Sequence, residues 1–186
     1  SYGNVAPFRQ AMVPGDSIHC MISRGGDAVN VIPAYTRSEW LIRARTVERL
    51  AELVPKVRAC FEGAATATGC RLGWTAKDHP YENMVNNLVI ADLYRANSVA
   101  MDRPMPTEDE IGISGGSSDM GNVSHILPSI HPMLGINSGD AVNHQPEFAA
   151  HTVTADGMKA IRDGALSMAW TIIDMADQDV WDRLRG

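Results

Sequence analysis

The chemistry-bearing side chains concentrate in one stretch, SGGSSDMGNVSHILPSIHPMLGINSGDAVNHQPEF, residues 114–148. It carries His125, His131 and His144 together with Asp119 and Asp140. Imidazole and carboxylate together are the ligands a zinc- or manganese-type site uses. The spacing contains neither H-E-x-x-H nor H-x-D, so the pattern alone does not separate metal ligands from hydrogen-bonded structural histidines. Its glycines permit either close backbone approach to a ligand or simple tight turns. A second group lies upstream: His19 in SIHCMIS, Gly25-Gly26, and Asn30 opening N-V-I-P. On a strand, His19 could serve as a general acid or oxyanion donor, or could face solvent. Asn30 could donate to a substrate carboxylate or serve a turn. Arg43 could clamp a carboxylate through two N–H groups, or lie on the surface.

These residues need elements to place them. A helix is expected to end within residues 4–13, stopped by Pro14-Gly15, and a strand is expected over 17–23. In 35–42, Tyr35, Arg37, Glu39 and Leu41 alternate with Thr36, Ser38, Trp40 and Ile42, which predicts a second strand. Pro33 belongs at its edge or start. Residues 46–68 predict a long helix with Thr46 as N-cap and Gly69 as C-cap. Its apolar stripe comprises Val47, Leu50, Leu53, Val54, Val57, Cys60, Phe61 and Ala64, with Pro55 as a point for a kink. A short strand is expected at 70–75. Helix–strand–strand–helix–strand is most of a split βαβ, ferredoxin-like unit. Beyond it come a helix over 83–102, a polar loop over 103–110, and the long glycine-rich segment; loops of that kind usually carry function. A final helix is expected over 154–176, burying Met158, Ile161, Ala165, Met168, Ala169, Ile172, Ile173 and Met175.

Composition narrows the function classes. The 186 residues are 45% apolar and 20% charged, with a net charge of −6, as in ordinary globular proteins. No basic stripe points to nucleic acid. No 18-residue apolar run points to a membrane span, and the first residues do not read as a signal peptide. A first residue of Ser rather than Met suggests a trimmed chain. Cys20, Cys60 and Cys70 match no zinc or redox spacing, so free thiols in a reducing cytoplasm are expected.

GGDAVNVIPAYTRSEWLIRA, followed by a helix ending VRACFEGAATATGC, resembles the lid or dimerisation domain of the di-metal carboxypeptidase and aminoacylase superfamily of amidohydrolases. GSSDMGNVSHILPSIHPMLGI and NHQPEF resemble the C-terminal catalytic segment of its aminobenzoyl-glutamate hydrolase-like and peptidase-like dipeptidase branch. The resemblance runs from about residue 4 to residue 176. It implies an α+β chain: a partly truncated ferredoxin-like lid over 1–76, then over 77–186 the returning part of an α/β catalytic domain. It implies a homodimer through the lid and two divalent ions, zinc or manganese, per intact enzyme. The implied reaction is amide hydrolysis of an N-acyl amino acid or dipeptide carrying a carboxylate, by a metal-activated water.

Residue by residue, the resemblance makes His144 a metal ligand, Asn30 and Arg43 substrate-carboxylate contacts, and His19 a catalytic-site histidine. Gly116, Ser118 and Asp119 match the loop lining the substrate pocket. The family's remaining ligands lie upstream of the matching region, and no E-E pair or H-x-D occurs here. The chain alone is therefore expected to be inactive and to hold metal weakly or not at all. The competing expectation is a non-catalytic dimerisation or binding module. The two differ in one respect: a fragment leaves apolar faces open on 83–102 and 154–176, whereas a module covers them.

Overall fold

A computed structural model of the chain describes residues 2–76, 79–106 and 116–185. The chain divides into two compact units, Ser1–Asn83 and Met84–Gly186.

The first unit opens with α1 (Tyr2–Phe8) and a 3-10 turn over Arg9–Ala11. Two antiparallel strands follow, β1 (Ser17–Arg24) and β2 (Arg37–Arg43), and then α2 (Val47–Thr68). The Thr46 side chain accepts from the Arg49 amide, and Gly69 ends the helix in a left-handed conformation, φ 67°. Both caps stand where the residue types require them. The helix continues unbroken through Pro55, which is exposed; on that side water can serve the carbonyl that proline cannot bond. Leu53, Val57 and Phe61 are buried on the expected stripe, against Val5 of α1 and Ile18 of β1. Trp40 and Trp74 meet the Phe61 ring edge-on, at centroid distances of 5.0 and 5.6 Å.

The sheet has two strands, and the expected third strand at 70–75 does not form. Leu72 and Trp74 do turn into the core, so the period-two pattern there is real. Alternation specifies a face to bury; it does not supply a neighbour for the backbone ladder. The ferredoxin-like arrangement thus goes no further among the described residues than one hairpin packed on one long helix.

Asp16, just before β1, is clamped by Arg49 of α2: Nε lies 3.2 Å and Nη2 2.7 Å from Oδ2, and Nη1 reaches Glu52 at 3.0 Å. The Asp16 side chain is fully buried, and its hydrogen bonds from Arg49 hold its carboxyl below the usual carboxylate range despite that burial. Position 49, three residues after the Thr46 cap, is where a capping box would place glutamate; as arginine it fastens the sheet to the helix.

The second unit is helical. α3 (Leu88–Val99) is shorter than expected and begins at an Asn87 cap. α4 (Met120–Ser124), α5 (Pro146–His151), α6 (Ala155–Met175) and α7 (Gln178–Arg185) follow. α4, α5 and α7 lie outside the helices expected from the sequence; α5 starts at Pro146, whose fixed φ suits a first helical position.

The packing of α6 reverses the expected face. Gly157, Ala160, Asp163, Gly164, Ser167 and Thr171 are its buried residues, facing Ile90, Tyr94 and Ser98 of α3. Met158, Ile161, Met168, Ile172 and Ile173 are instead 54–68% exposed. Small residues let two helix backbones approach closely, and hydroxyls on that seam find partners: Ser98 and Ser167 share a hydrogen bond of 3.2 Å, Thr171 Oγ1 donates to the Ser167 carbonyl (2.7 Å), and Asn97 Nδ2 donates to Asp174 (2.8 Å).

Candidate functional site

In the first unit, β1 and β2 pair Ser17 with Arg43, His19 with Leu41, and Met21 with Glu39. Opposed residues of an antiparallel pair share a face. His19 and Arg43 therefore stand on one face with Met21, Leu41 and Glu39, while Ile18, Trp40 and Ile42 turn toward α2. His19, Leu41 and Met21 are exposed and Arg43 is half-buried. A shallow depression on this face is lined by His19, Met21, Glu39 and Leu41. Asn30 lies in the loop after β1, inside a turn closed by the Val31 amide donating to the Ala28 carbonyl at 3.3 Å. That loop leaves the end of the hairpin opposite Arg43, so the length of β2 separates the two residues. The same loop presents Val29, Val31, Ile32 and Tyr35 to solvent.

In the second unit, Gly116 is exposed and Ser118 half-buried ahead of α4. Ser118 Oγ accepts from the Met120 amide (3.2 Å) and donates to Asp119 Oδ1 (3.3 Å), and its carbonyl accepts from Gly121 (3.2 Å). Ser118 thus organises the turn into α4 and leaves Asp119 exposed beside it. Ser124 Oγ accepts from the Val85 amide (3.0 Å), and the Asn87 amide donates to the Ser129 carbonyl (2.9 Å), tying this loop to the start of α3.

His144 is exposed and takes φ 69°, a left-handed value uncommon for a side chain other than glycine. Such backbone costs on the order of 1–3 kcal/mol and persists where flanking structure imposes it. Both flanks are held. On one side, Asn137 Nδ2 donates to Asp156 in the first turn of α6 (2.7 Å), Ser138 Oγ donates to the Ala141 carbonyl (3.0 Å), and the Val142 amide donates to Gln145 Oε1 (3.3 Å). On the other, α5 is seated against Gly157: a Cβ there would lie 2.6 Å from the carbonyl oxygens of His151 and Thr152.

Two divalent ions need a converging ligand set. Among the described residues, no group of three or more His, Cys, Asp or Glu side chains stands close enough to hold one. His144 offers a single exposed imidazole, and a closed zinc site needs about four ligands. The residues present do not make a metal centre by themselves, and no catalytic step through an ion follows from them. Also among the described residues, the three cysteines are free thiols and no helix is long and apolar enough to cross a membrane.

What the residue types did not reveal is the set of contacts around residues 134–157: Arg103 with Asp163 and the Gly135 carbonyl, Asn137 with Asp156, and Gly157 beside the carbonyls of His151 and Thr152. An aspartate at 163, one turn from Ala160 and next to Gly164 on the small-residue face, was the one available signal.

The chain is similar along nearly its whole length to two dipeptidases, which supports the peptidase-like dipeptidase branch that the N-V-I-P, GSSDMGNVS and NHQPEF segments resemble. It is 32% identical over 177 residues to the Xaa-Arg dipeptidase of Mus musculus, which is 94% of this chain and 41% of that protein. It is likewise 32% identical over 177 residues to the Xaa-Arg dipeptidase of Homo sapiens, covering 94% of this chain and 40% of that protein. The chain therefore spans about two fifths of the length of these relatives. No family model matches it.

Proposed function

We infer that this chain contributes the lid-derived and C-terminal parts of a dipeptidase that hydrolyses the peptide bond of a small substrate carrying a free carboxylate. The observation that carries the reading is the similarity to two Xaa-Arg dipeptidases along 94% of the chain. A basic C-terminal residue in the substrate is the corresponding expectation, with N-acyl amino acids as a second class. Residues 1–76 act as lid and homodimer surface, and residues 77–186 as the returning catalytic segment. His144 is the metal ligand this segment supplies, to zinc or manganese held mainly by residues outside it. Asn30 and Arg43 meet the substrate carboxylate, Gly116, Ser118 and Asp119 line its pocket, and His19 stands near the reacting bond. Because Asn30 and Arg43 lie at opposite ends of the hairpin, they meet one carboxylate only as residues of two different copies in the dimer.

The exposed stripe on α6 supports a need for further chain. Met158, Ile161, Met168 and Ile172 form an open apolar seam, and contiguous apolar surface of this kind marks an interface. A self-contained module would cover that seam, and within the described chain it is open. The test is hydrolysis of Xaa-Arg, Xaa-Lys and N-acyl substrates by the intact enzyme, with its mass and metal content measured on the same sample. His144→Ala is expected to abolish turnover and lower metal content. Undiminished turnover in that variant would refute the reading.

A further inference from the structure

Past the end of α3, the Arg103 amide donates to the Ser98 carbonyl and the Asp102 amide to the Val99 carbonyl, each at 3.0 Å. Asp102 takes φ 57°, the left-handed position that glycine usually fills in such an ending. This ending fixes the direction in which Arg103 leaves the helix. Its Nε donates to Asp163 Oδ2 of α6 at 2.8 Å, and its Nη1 donates to the Gly135 carbonyl at 2.7 Å. The guanidinium is planar and rigid, so these two arms hold α6 and the loop at one fixed angle. Asp163 is 3% exposed and also accepts from Lys159 at 2.6 Å. Leu134 lies over Gly164, where an added Cβ would come within 2.7 Å of Leu134 Cδ1.

A buried ion pair is weak grounds for stability. A buried ion pair is often matched or bettered by apolar residues of similar volume, because desolvating the charges offsets their attraction. An apolar pair at 103 and 163 would also leave the Gly135 carbonyl without its donor. What the charged pair adds is a fixed place for the Gly135 backbone, nine residues before His144 and two before the Asn137 tie to Asp156.

We propose that Arg103, oriented by Asp163, is a positioning residue that sets the segment 134–145 on α6 and thereby imposes the left-handed backbone at His144. The proposal rests on the reading of His144 as a working side chain of the intact enzyme. Arg103 touches neither substrate nor ion in this role; it acts through the loop.

The test uses the chain itself. Arg103→Lys leaves a cation for Asp163 but cannot also reach Gly135 as a rigid fork. Amide exchange across 134–142 is expected to accelerate at least tenfold. Core amides of Ile90, Tyr94, Ala160 and Ser167 are expected to stay within about twofold. In NMR spectra, the strong intraresidue amide–Hα cross-peak that a positive φ gives His144 is expected to weaken. Asp163→Asn keeps the size and an acceptor, removes the orienting charge, and is expected to release the same loop amides to a smaller extent. Wild-type exchange at 134–142 in both variants overturns the proposal. So does equal acceleration in the loop and in the α3 and α6 cores, which would mean a merely structural ion pair. These readouts are independent of turnover. Full activity of His144→Ala alongside a loosened loop would sink the catalytic reading alone, whereas an inactive His144→Ala alongside an unchanged loop would sink the positioning role alone.

Discussion

Replacing Gly157 by alanine sets two effects of known sign against each other. Inside a helix, glycine to alanine ordinarily stabilises by about 0.5–1 kcal/mol, because the unfolded chain loses freedom. At Gly157 the new Cβ would stand 2.6 Å from two carbonyl oxygens, those of His151 and Thr152. Ordinary contact requires a separation larger by most of an ångström, and backbone atoms cannot rotate aside as a side-chain tip can. Overpacking of this kind costs about 1–3 kcal/mol, so Gly157→Ala is expected to destabilise the second unit by roughly 1–2 kcal/mol net. With a urea slope of about 2 kcal/mol per molar, the midpoint should fall by about 0.5–1 M. The internal control is Gly63→Ala in α2, an exposed position where a Cβ meets nothing within 4 Å; there the unopposed propensity should raise the midpoint of the first unit. Urea unfolding followed by amide exchange in α2 and α6 peptides reads each unit separately. If Gly157→Ala raised the α6 midpoint as Gly63→Ala raises that of α2, the close seating of α5 on α6 would be wrong, and with it one of the two supports of the His144 backbone.

Four further outcomes are expected. Asp16 and Asp163 both titrate below the usual carboxylate value, Asp16 through hydrogen bonds from Arg49 and Asp163 through those from Lys159 and Arg103. Their stabilisation is complete above the unfolded-state value of about 3.9 and is lost as pH falls through the lower folded values; an Asp16→Asn chain should show a shallower acid loss in denaturant midpoints measured from about pH 5 downward. Ser98→Ala and Ser167→Ala should each cost about 1 kcal/mol in urea titrations, and the double variant less than their sum, since each single change leaves a buried hydroxyl short of its partner. Leu53→Ala, at a fully buried position, should cost about 2–5 kcal/mol in the first unit. Ile161→Lys and Met168→Lys on the open seam should change the stability of this chain by less than about 0.5 kcal/mol while reducing its self-association in light scattering; a large loss of stability would mean the seam is covered by the chain itself.

Much of the first unit was legible because its local signals agree. Thr46 and Gly69 bound α2, the 3–4 spacing of Leu53, Val57 and Phe61 selects the buried face, and alternation around Trp40 and Ile42 selects the inner face of β2. The segment 70–75 misled because Leu72 and Trp74 alternate as a strand would, yet a ladder needs a second backbone that no local pattern specifies. Of the candidate site residues, His19 and Arg43 share a face because the antiparallel register sets Ser17 opposite Arg43 and His19 opposite Leu41, a pairing that neither strand's own pattern specifies. Asn30 and Arg43 could not be separated in advance, since the direction of a hairpin decides which end a loop leaves.

α6 shows the boundary most plainly. Met158, Ile161, Ala165, Met168 and Ile172 follow one 3–4 seam, and Gly157, Ala160, Gly164, Ser167 and Thr171 follow another, one residue and about 100° away. The amino-acid order alone determined that this stretch is a helix with two seams, where it is capped, and which family it resembles. It could not rank the seams, because hydrophobicity measures what a face gains by leaving water and says nothing of which neighbour is there to receive it. The tertiary structure decided that: α3 brings Tyr94, Asn97 and Ser98, which fit small residues and hydroxyls at close approach, and Arg103 at its end fits a buried aspartate. Among the described residues the apolar seam stays open.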